Sequence, residues 1–364
     1  MNIIVDLIRR NNEHHVFNSE IVKYFDLLGG AIFFLDKNSS SVECVKDQNN
    51  VKLIDVKATK FYLWFASNIL LAKILFTSGK GNTYTFLSST PLQYIILSIV
   101  SKLFGMKINI FMHGELGYLK KANGRGQKLG ARFISLAFSL KSKVKFIAIN
   151  AYIYDNLKKL YKGDNFVHIE HPIQSKYEIS KSNYDGLVFG TFGVQSVNKS
   201  SDEIYALSTL LSNDFYKSNS LITVGVSDGT FSYDRNEKVQ HQCKGLLKDS
   251  LIPFDEFMKN VASIDCVLFF NENNSNYELT PSGVFSDCIS LEKPIIAIRT
   301  NMLESYFKKY GRLGYLCNDI SEMAVVMDKI ANDNQGILEI VSNLQQVKSE
   351  LSNDYYIRKI SQLS

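Results

Sequence analysis

Short runs that read as strands, many of them apolar, recur along this chain, and they limit what it can fold into more than any other feature. Residues 2–8 read as a continuous apolar strand, and similar runs return at 31–35, 51–56, 83–87, 107–112, 145–149 and 166–169. After a break at His171-Pro172 the series starts again at 187–192, 220–226, 240–247, 266–270 and 295–298. A strand that is apolar along its whole length is buried on both faces, as in a parallel sheet covered by helices. The segments between the runs read as helices, at 60–76, 92–104, 151–161, 202–211 and 282–291 among others. Strand–helix alternation on both sides of the break predicts an α/β chain with two parallel-sheet domains. The polar segment 174–185 reads as the linker. The first domain is placed at 1–173 and the second at 174–345, with a C-terminal helix over 346–364 packing back on the first.

The stretch 277–298 carries the most chemistry. It runs from a loop ending Thr280-Pro281-Ser282-Gly283 into a short helix, then through the turn Glu292-Lys293-Pro294 into a strand. Glycine at a helix start lets backbone N–H groups approach a ligand closely, and the helix dipole favours an anion there. Ser282 adds a hydroxyl, and Asp287 lies one helical turn further in, placed to accept hydrogen bonds from sugar hydroxyls. An ordinary helix capped by Ser282 explains the same residues without a ligand.

Charge and composition narrow the partners. The 364 residues carry a net charge of +5, which suits an anionic substrate or an anionic membrane surface and is too weak to argue for nucleic acid. Cys44, Cys243, Cys266, Cys288 and Cys317 are scattered, with no Cys-x-x-Cys pair, and read as reduced thiols. There is no signal peptide and no apolar run near the ~18 residues of a spanning helix, so a cytoplasmic protein is expected, peripheral on the inner face of the membrane. The helix at 60–76 is apolar enough to be either a buried core helix or an interfacial one. The histidines show no metal-ligand spacing, and neither a metal nor a cofactor is expected.

With these residues laid out, the chain resembles the nucleotide-sugar glycosyltransferases of the GT-B type, in particular glycosyltransferase family 4 (group 1). Lys244-Gly245-Leu246, the helix from Pro253, and Ile264-Asp265-Cys266-Val267 match that family's glycine turn, helix and strand in order. Ser282-Gly283 through Asp287, then Lys293-Pro294-Ile295-Ile296-Ala297, resemble its block of glycine, acid and proline turn. Glu304 with Gly311 to Leu316 resembles the ending of that block, and His113-Gly114-Glu115 the family's first-half histidine turn. Three features depart from the pattern. Glu278 precedes Asp287 by nine positions, where many members separate two glutamates by eight; Val194 stands where an arginine is usual; and Glu292 replaces the glycine before the turn proline. The resemblance implies two Rossmann-like domains facing each other across a cleft. It also implies transfer of a sugar from a nucleotide-diphosphate donor to a hydroxyl of a saccharide or lipid-linked oligosaccharide. The implied setting is the biosynthesis of a bacterial surface polysaccharide such as O-antigen or capsule.

Such a reaction must stabilise a departing diphosphate. The N–H groups around Ser282, Gly283 and Val284 are the candidates, with Gly193 in the preceding loop and Lys199 and Arg299 as cations. Glu278 and Asp287 are the candidate ribose ligands. An inverting reaction needs a base, for which His113, Glu115 and His14 are available. The basic segment 117–130, read as a glycine-rich loop, brings Lys120, Lys121, Arg125 and Lys128 to a lipid-linked diphosphate or leaves them solvated. A dinucleotide-dependent dehydrogenase is disfavoured, since no strand leads into Gly-x-Gly-x-x-Gly. A non-catalytic sugar-nucleotide or glycan-binding protein of the same fold is the alternative.

Overall fold

The computed structural model describes residues 1–8, 15–56, 59, 61–173, 186–233, 236–242, 254–273, 276–333 and 335–364. His14, the segment 174–185, Lys244 to Leu246 and Pro253 lie outside the described residues. The chain divides into two compact units. The first comprises Met1–Pro172, Asn276–Pro281 and Leu351–Ser364; the second comprises Ile173–Ser275 and Ser282–Glu350.

The first unit runs β1 (Asn2–Asp6), α1 (His15–Leu28), β2 (Ala31–Asp36), β3 (Val51–Ile54), α2 (Ser67–Ser78), β4 (Thr83–Phe86) and α3 (Pro91–Phe104). It continues with β5 (Lys107–Met112), α4 (Arg125–Ser139), β6 (Val144–Ala148), α5 (Ala151–Leu160) and β7 (Phe166–His168). All seven strands are parallel in the order β3-β2-β1-β4-β5-β6-β7. The helix starts follow from their caps. Thr90 accepts from the Gln93 N–H while Gln93 returns a bond to Thr90, and Pro91 sits in the first turn where its missing N–H is not needed. Residues of α2 to α5 share one core with the sheet, in which Phe138 meets the rings of Tyr94, Phe146, Tyr161 and Phe166.

The second unit holds β8 (Val188–Phe192), α6 (Glu203–Leu210), α7 (Phe215–Ser218), β9 (Ser220–Val224), β10 (Val239–Gln242), α8 (Phe254–Ala262) and β11 (Cys266–Phe269). Then come α9 (Gly283–Ser290), β12 (Ile295–Ile298), α10 (Asn301–Tyr310), β13 (Gly314–Cys317), α11 (Ile320–Asn332) and α12 (Gln335–Glu350). Its six strands are parallel in the order β10-β9-β8-β11-β12-β13. The last helix, α13 (Asn353–Ser361), returns to the first unit, where Tyr356 stacks on Tyr24 of α1 at 5.1 Å between centroids.

Three local expectations are corrected. Arg125 and Lys128 lie in α4 and not in a loop, because Gly130 permits close helix packing: a Cβ there would sit 3.2 Å from Pro91 Cγ and 3.3 Å from Tyr118. The glycine turn at 311–315 contains the start of the edge strand β13. The helix expected at 60–76 opens with a π-helical turn at Tyr62–Ala66 before α2 begins.

Glu292 takes the left-handed φ of 55° that a glycine would adopt without strain. Its carboxylate is held by Lys348 at 2.7 Å and Gln345 at 2.8 Å, both on α12. Burial works against the charge, but the bonds from Lys348 and Gln345 prevail and hold this carboxyl below its usual range. Because its folded pKa is lowered, Glu292 adds stability above its unfolded value of 4.5 and loses that contribution as pH falls through the lowered value. Glu292→Ala, which keeps the strained φ and removes the bonds, is expected to cost about 1–2 kcal/mol in denaturant unfolding at pH 7. Glu292→Gly, which relieves the φ, is expected to cost less than Glu292→Ala, and a Gly variant equal to the Ala variant would refute the argument.

Candidate functional site

In an open parallel sheet, ligands sit beyond the carboxyl ends of the strands, where neighbouring strands send their chains to opposite faces. The order of the second sheet puts that point between β8 and β11. Gly193 follows β8 with φ +97°, and its N–H bonds to Val224 O at 2.9 Å. A Cβ on Gly193 would lie 3.3 Å from Val284 Cγ2, while one on Gly225 would lie 1.9 Å from the Gly193 carbonyl oxygen. The ends of β8 and β9 therefore meet backbone to backbone, and the Val284 side chain at the start of α9 packs against Gly193. Gly193 and Val284 were separate sequence candidates, and the fold brings them into contact. Gly225 was missed, since a lone glycine after a strand carries no signal of what it packs against.

Beyond Gly193 the chain turns back on itself. Gln195 N–H bonds to Val226 O at 2.8 Å, and the Lys199 ammonium donates to Val194 O at 2.9 Å, closing the loop. Opposite, Ser282 caps α9 by accepting the Phe285 N–H at 3.3 Å. That satisfies one amide of the first turn, and helical geometry offers no internal acceptor to those of Gly283 and Val284. Gly283 is exposed, and nothing lies within 4 Å of where its Cβ would be.

The rest of α9 is buried apart from Val284 and Asp287. Asp287 falls three and four residues after Val284 and Gly283, hence on their side of the helix. Its carboxylate is half-buried and has neither a hydrogen bond nor an ion pair among the described residues. Burial alone pushes it up to about 7. Arg299, at the end of β12, is exposed, paired with Glu304 at 3.1 Å and bonded to Leu316 O at 3.2 Å. Glu278 belongs to the first unit, where it pairs with Lys120 while its carbonyl accepts from Asn156 at 2.9 Å.

In the first unit the corresponding point lies between β1 and β4. Asp6 ends β1 fully buried and accepts from Asn18 at 2.9 Å, Ser39 at 3.2 Å, Ser41 at 3.3 Å and Ser88 at 3.4 Å. It ties the first turn of α1 and the loops after β2 and β4 together at the carboxyl edge. An acid closing an apolar strand was visible in the sequence and was overlooked. His113, beyond β5, is buried against Phe17, and its Nε2 bonds to Leu87 O at 2.7 Å, which places the proton on Nε2. Glu115 accepts from the His113 N–H at 2.9 Å and from the Tyr94 hydroxyl, so it shapes this turn. Burial, then the Glu115 charge, raises Tyr94 well above the usual phenol range. Ser89 and Thr280 have buried hydroxyls at this edge with no hydrogen-bond partner among the described residues. Among the described residues no group of histidine, cysteine, aspartate and glutamate side chains is arranged to hold a metal ion.

This pair of parallel α/β units is the GT-B fold, shared with glycosyltransferases of known structure. HepE of Anabaena, solved with UDP and glucose, matches with a TM-score of 0.68 at 13% identity, covering 99% of this chain and 98% of that one. WaaG, a glycosyltransferase involved in lipopolysaccharide biosynthesis, matches with a TM-score of 0.63 at 12% identity over 99% of this chain and 98% of its own. A trehalose-6-phosphate protein of E. coli bound to UDP-2-fluoro glucose gives 0.66 at 10% identity over 100% and 99%. No protein-family model matches the sequence, and no curated protein matches it significantly.

Asp287 yields a prediction that an ordinary helix residue would not. Its folded pKa of about 7 exceeds the ordinary 3.8, so ionisation costs stability progressively between those values and by a constant amount above them. Asp287→Asn is therefore expected to raise Tm at pH 8 by about 2 °C. The same variant should bind nucleotide more weakly and lose any rise in affinity centred near pH 7. A lowered Tm would show that the carboxylate supports the fold instead.

Proposed function

We propose that this protein transfers a sugar from a nucleotide-diphosphate donor to a hydroxyl of a saccharide or lipid-linked oligosaccharide, in building a bacterial surface polysaccharide. The observation that carries this reading is the unpartnered, half-buried Asp287 carboxylate one turn inside a helix start whose Gly283 backbone is bare. UDP and sugar bound to structural neighbours point the same way.

In this reading the Gly283 and Val284 amides take the diphosphate, with the positive end of α9 behind them. Lys199, already folded over the Gly193 loop, adds the cation that offsets charge developing on the leaving group. Asp287 accepts from the ribose hydroxyls. Gly193 keeps the approach clear, and Arg299 serves as a further cation if its pair with Glu304 opens. Amides and Lys199 meet the diphosphate charge without a metal, so transfer is expected to survive chelation. His113 lies on the acceptor side, with its Nε2 proton fixed by the Leu87 carbonyl. The work would take place on the inner face of the membrane, with the protein peripheral to it.

Gly283→Ala is a clean test, because the fold does not need this glycine: its φ is ordinary and the space is open. Its Tm should stay within about 1 °C. Its affinity for the preferred diphosphate, found with UDP, GDP, CDP and their sugars, should drop about tenfold, since a methyl group keeps phosphate from the amides. Lys199→Ala is expected to lower kcat/KM about 100-fold. Unchanged affinity and rate in both variants would overturn the site. Diphosphate binding without turnover of any donor sugar would favour a binding protein of the same fold.

A further inference from the structure

Away from the carboxyl edges, the first unit gathers charge in an unusual way. Between positions 56 and 154 the chain has a single acidic residue, Glu115, against fourteen lysines and arginines, although the whole chain is only +5. Glu115 is itself engaged by Tyr94 and the His113 N–H.

At the amino ends of β5, β6 and β7 lies a recess of about 910 Å³, opposite the edge where this sheet would hold substrate. Lys102, Lys107, Lys141, Lys143, Lys145 and Lys162 line it. Lys145 donates to Gln362 O at 2.9 Å, and none of the six is in an ion pair among the described residues. Asp164 is the one acidic side chain in the lining, and it pairs with Lys158 at 3.5 Å. The Asn165 side-chain oxygen, also in the lining, is buried with no hydrogen-bond partner among the described residues.

The surroundings of the recess are apolar. Right-handed crossovers put α2 to α5 on one face of the sheet, and their shared core agrees with that. Each of these helices runs antiparallel to the strands, so its last turn lies at the amino edge. Those last turns carry Phe76, Leu103, Phe104, Leu136 and Leu160, which are 40 to 70% exposed. The rings of Phe76 and Phe104 meet edge to face, with the Lys80 ammonium 5.0 Å from the Phe104 ring. Cations at helix C-termini complement the helix dipole. The dipole does not account for Lys107 and Lys145 on strands, nor for a ring of exposed Phe and Leu.

We propose that this amino-edge end of the first unit docks on an anionic lipid bilayer. Lipid phosphates enter the lysine-lined recess, and the five apolar side chains settle at the acyl boundary. Unpaired lysines beside exposed aromatic and aliphatic groups match the two layers of such a surface, phosphate outside and hydrocarbon beneath. The inference rests on the membrane-side location proposed above for its purpose, and on this surface alone for its argument. Among the described residues no helix is long and apolar enough to cross a membrane, so attachment by these helices would be to one leaflet.

The test is co-sedimentation of the full chain with vesicles of phosphatidylcholine, with and without phosphatidylglycerol. Binding is expected only to the anionic vesicles and should weaken as salt rises. The triple variant Lys102→Ala, Lys143→Ala, Lys162→Ala should partition about 100-fold less. Leu103→Ser should reduce partitioning about tenfold. Equal binding to both vesicle types, or a triple variant that binds like the parent, would overturn the proposal. So would a thermal shift with inorganic pyrophosphate in a protein that ignores vesicles, since that marks a site for a soluble anion. Turnover of soluble donor by the triple variant should match the parent. A chain that binds vesicles but turns over no donor would defeat the transferase reading and leave this one standing.

Discussion

The constraint behind every other feature is that adjacent parallel strands cannot be joined by a tight turn. Each connection must climb over the sheet through a helix, and the chain then re-enters at the amino edge. The carboxyl edge is left to loops, and where two neighbouring strands send their chains to opposite faces a gap opens between them. In the second sheet that gap falls between β8 and β11, and the two segments bordering it are the Gly193 loop and the chain leading to α9. The candidate site is thus a product of strand order. Two of the residues there are glycines because the Gly193 and Gly225 backbones meet and the Val284 side chain packs against Gly193.

Much of this was readable before any coordinates. Strands buried on both faces announce themselves as apolar runs, and the central strands β1, β4, β5, β8, β11 and β12 fall on such runs, whereas β3 and β10 are shorter on apolar residues and less buried. Ser282 and Thr90 cap helices where residue chemistry says they should. What escaped detection depends on distant contacts. Gly130 resembles a loop glycine until Pro91 and Tyr118 are seen against it. The strand β13 is four residues long and opens with a glycine, so periodicity had nothing to register.

The site was legible by residue type and illegible by partner. Asp287 was a candidate for its spacing, but that its carboxylate has no bonding partner among the described residues emerges only from the fold. Glu278 and Arg299 were equally good on paper, and the fold supplies each with an opposite charge, Lys120 and Glu304. Glu292 shows the reverse case. A missing glycine read as a departure from a pattern, yet the backbone adopts the glycine conformation regardless, and α12 holds the substituted side chain.

The first unit is assembled from segments that lie far apart in sequence. Met1–Pro172 is completed only by Asn276–Pro281 and by Leu351–Ser364, whose Tyr356 fills the face of α1. During synthesis the second unit has all its strands on hand before the first has its final helix. Until that helix docks, the nascent first unit exposes the α1 surface around Tyr24 to whatever else is nearby. The order of translation therefore differs from the order in which the two units can become complete.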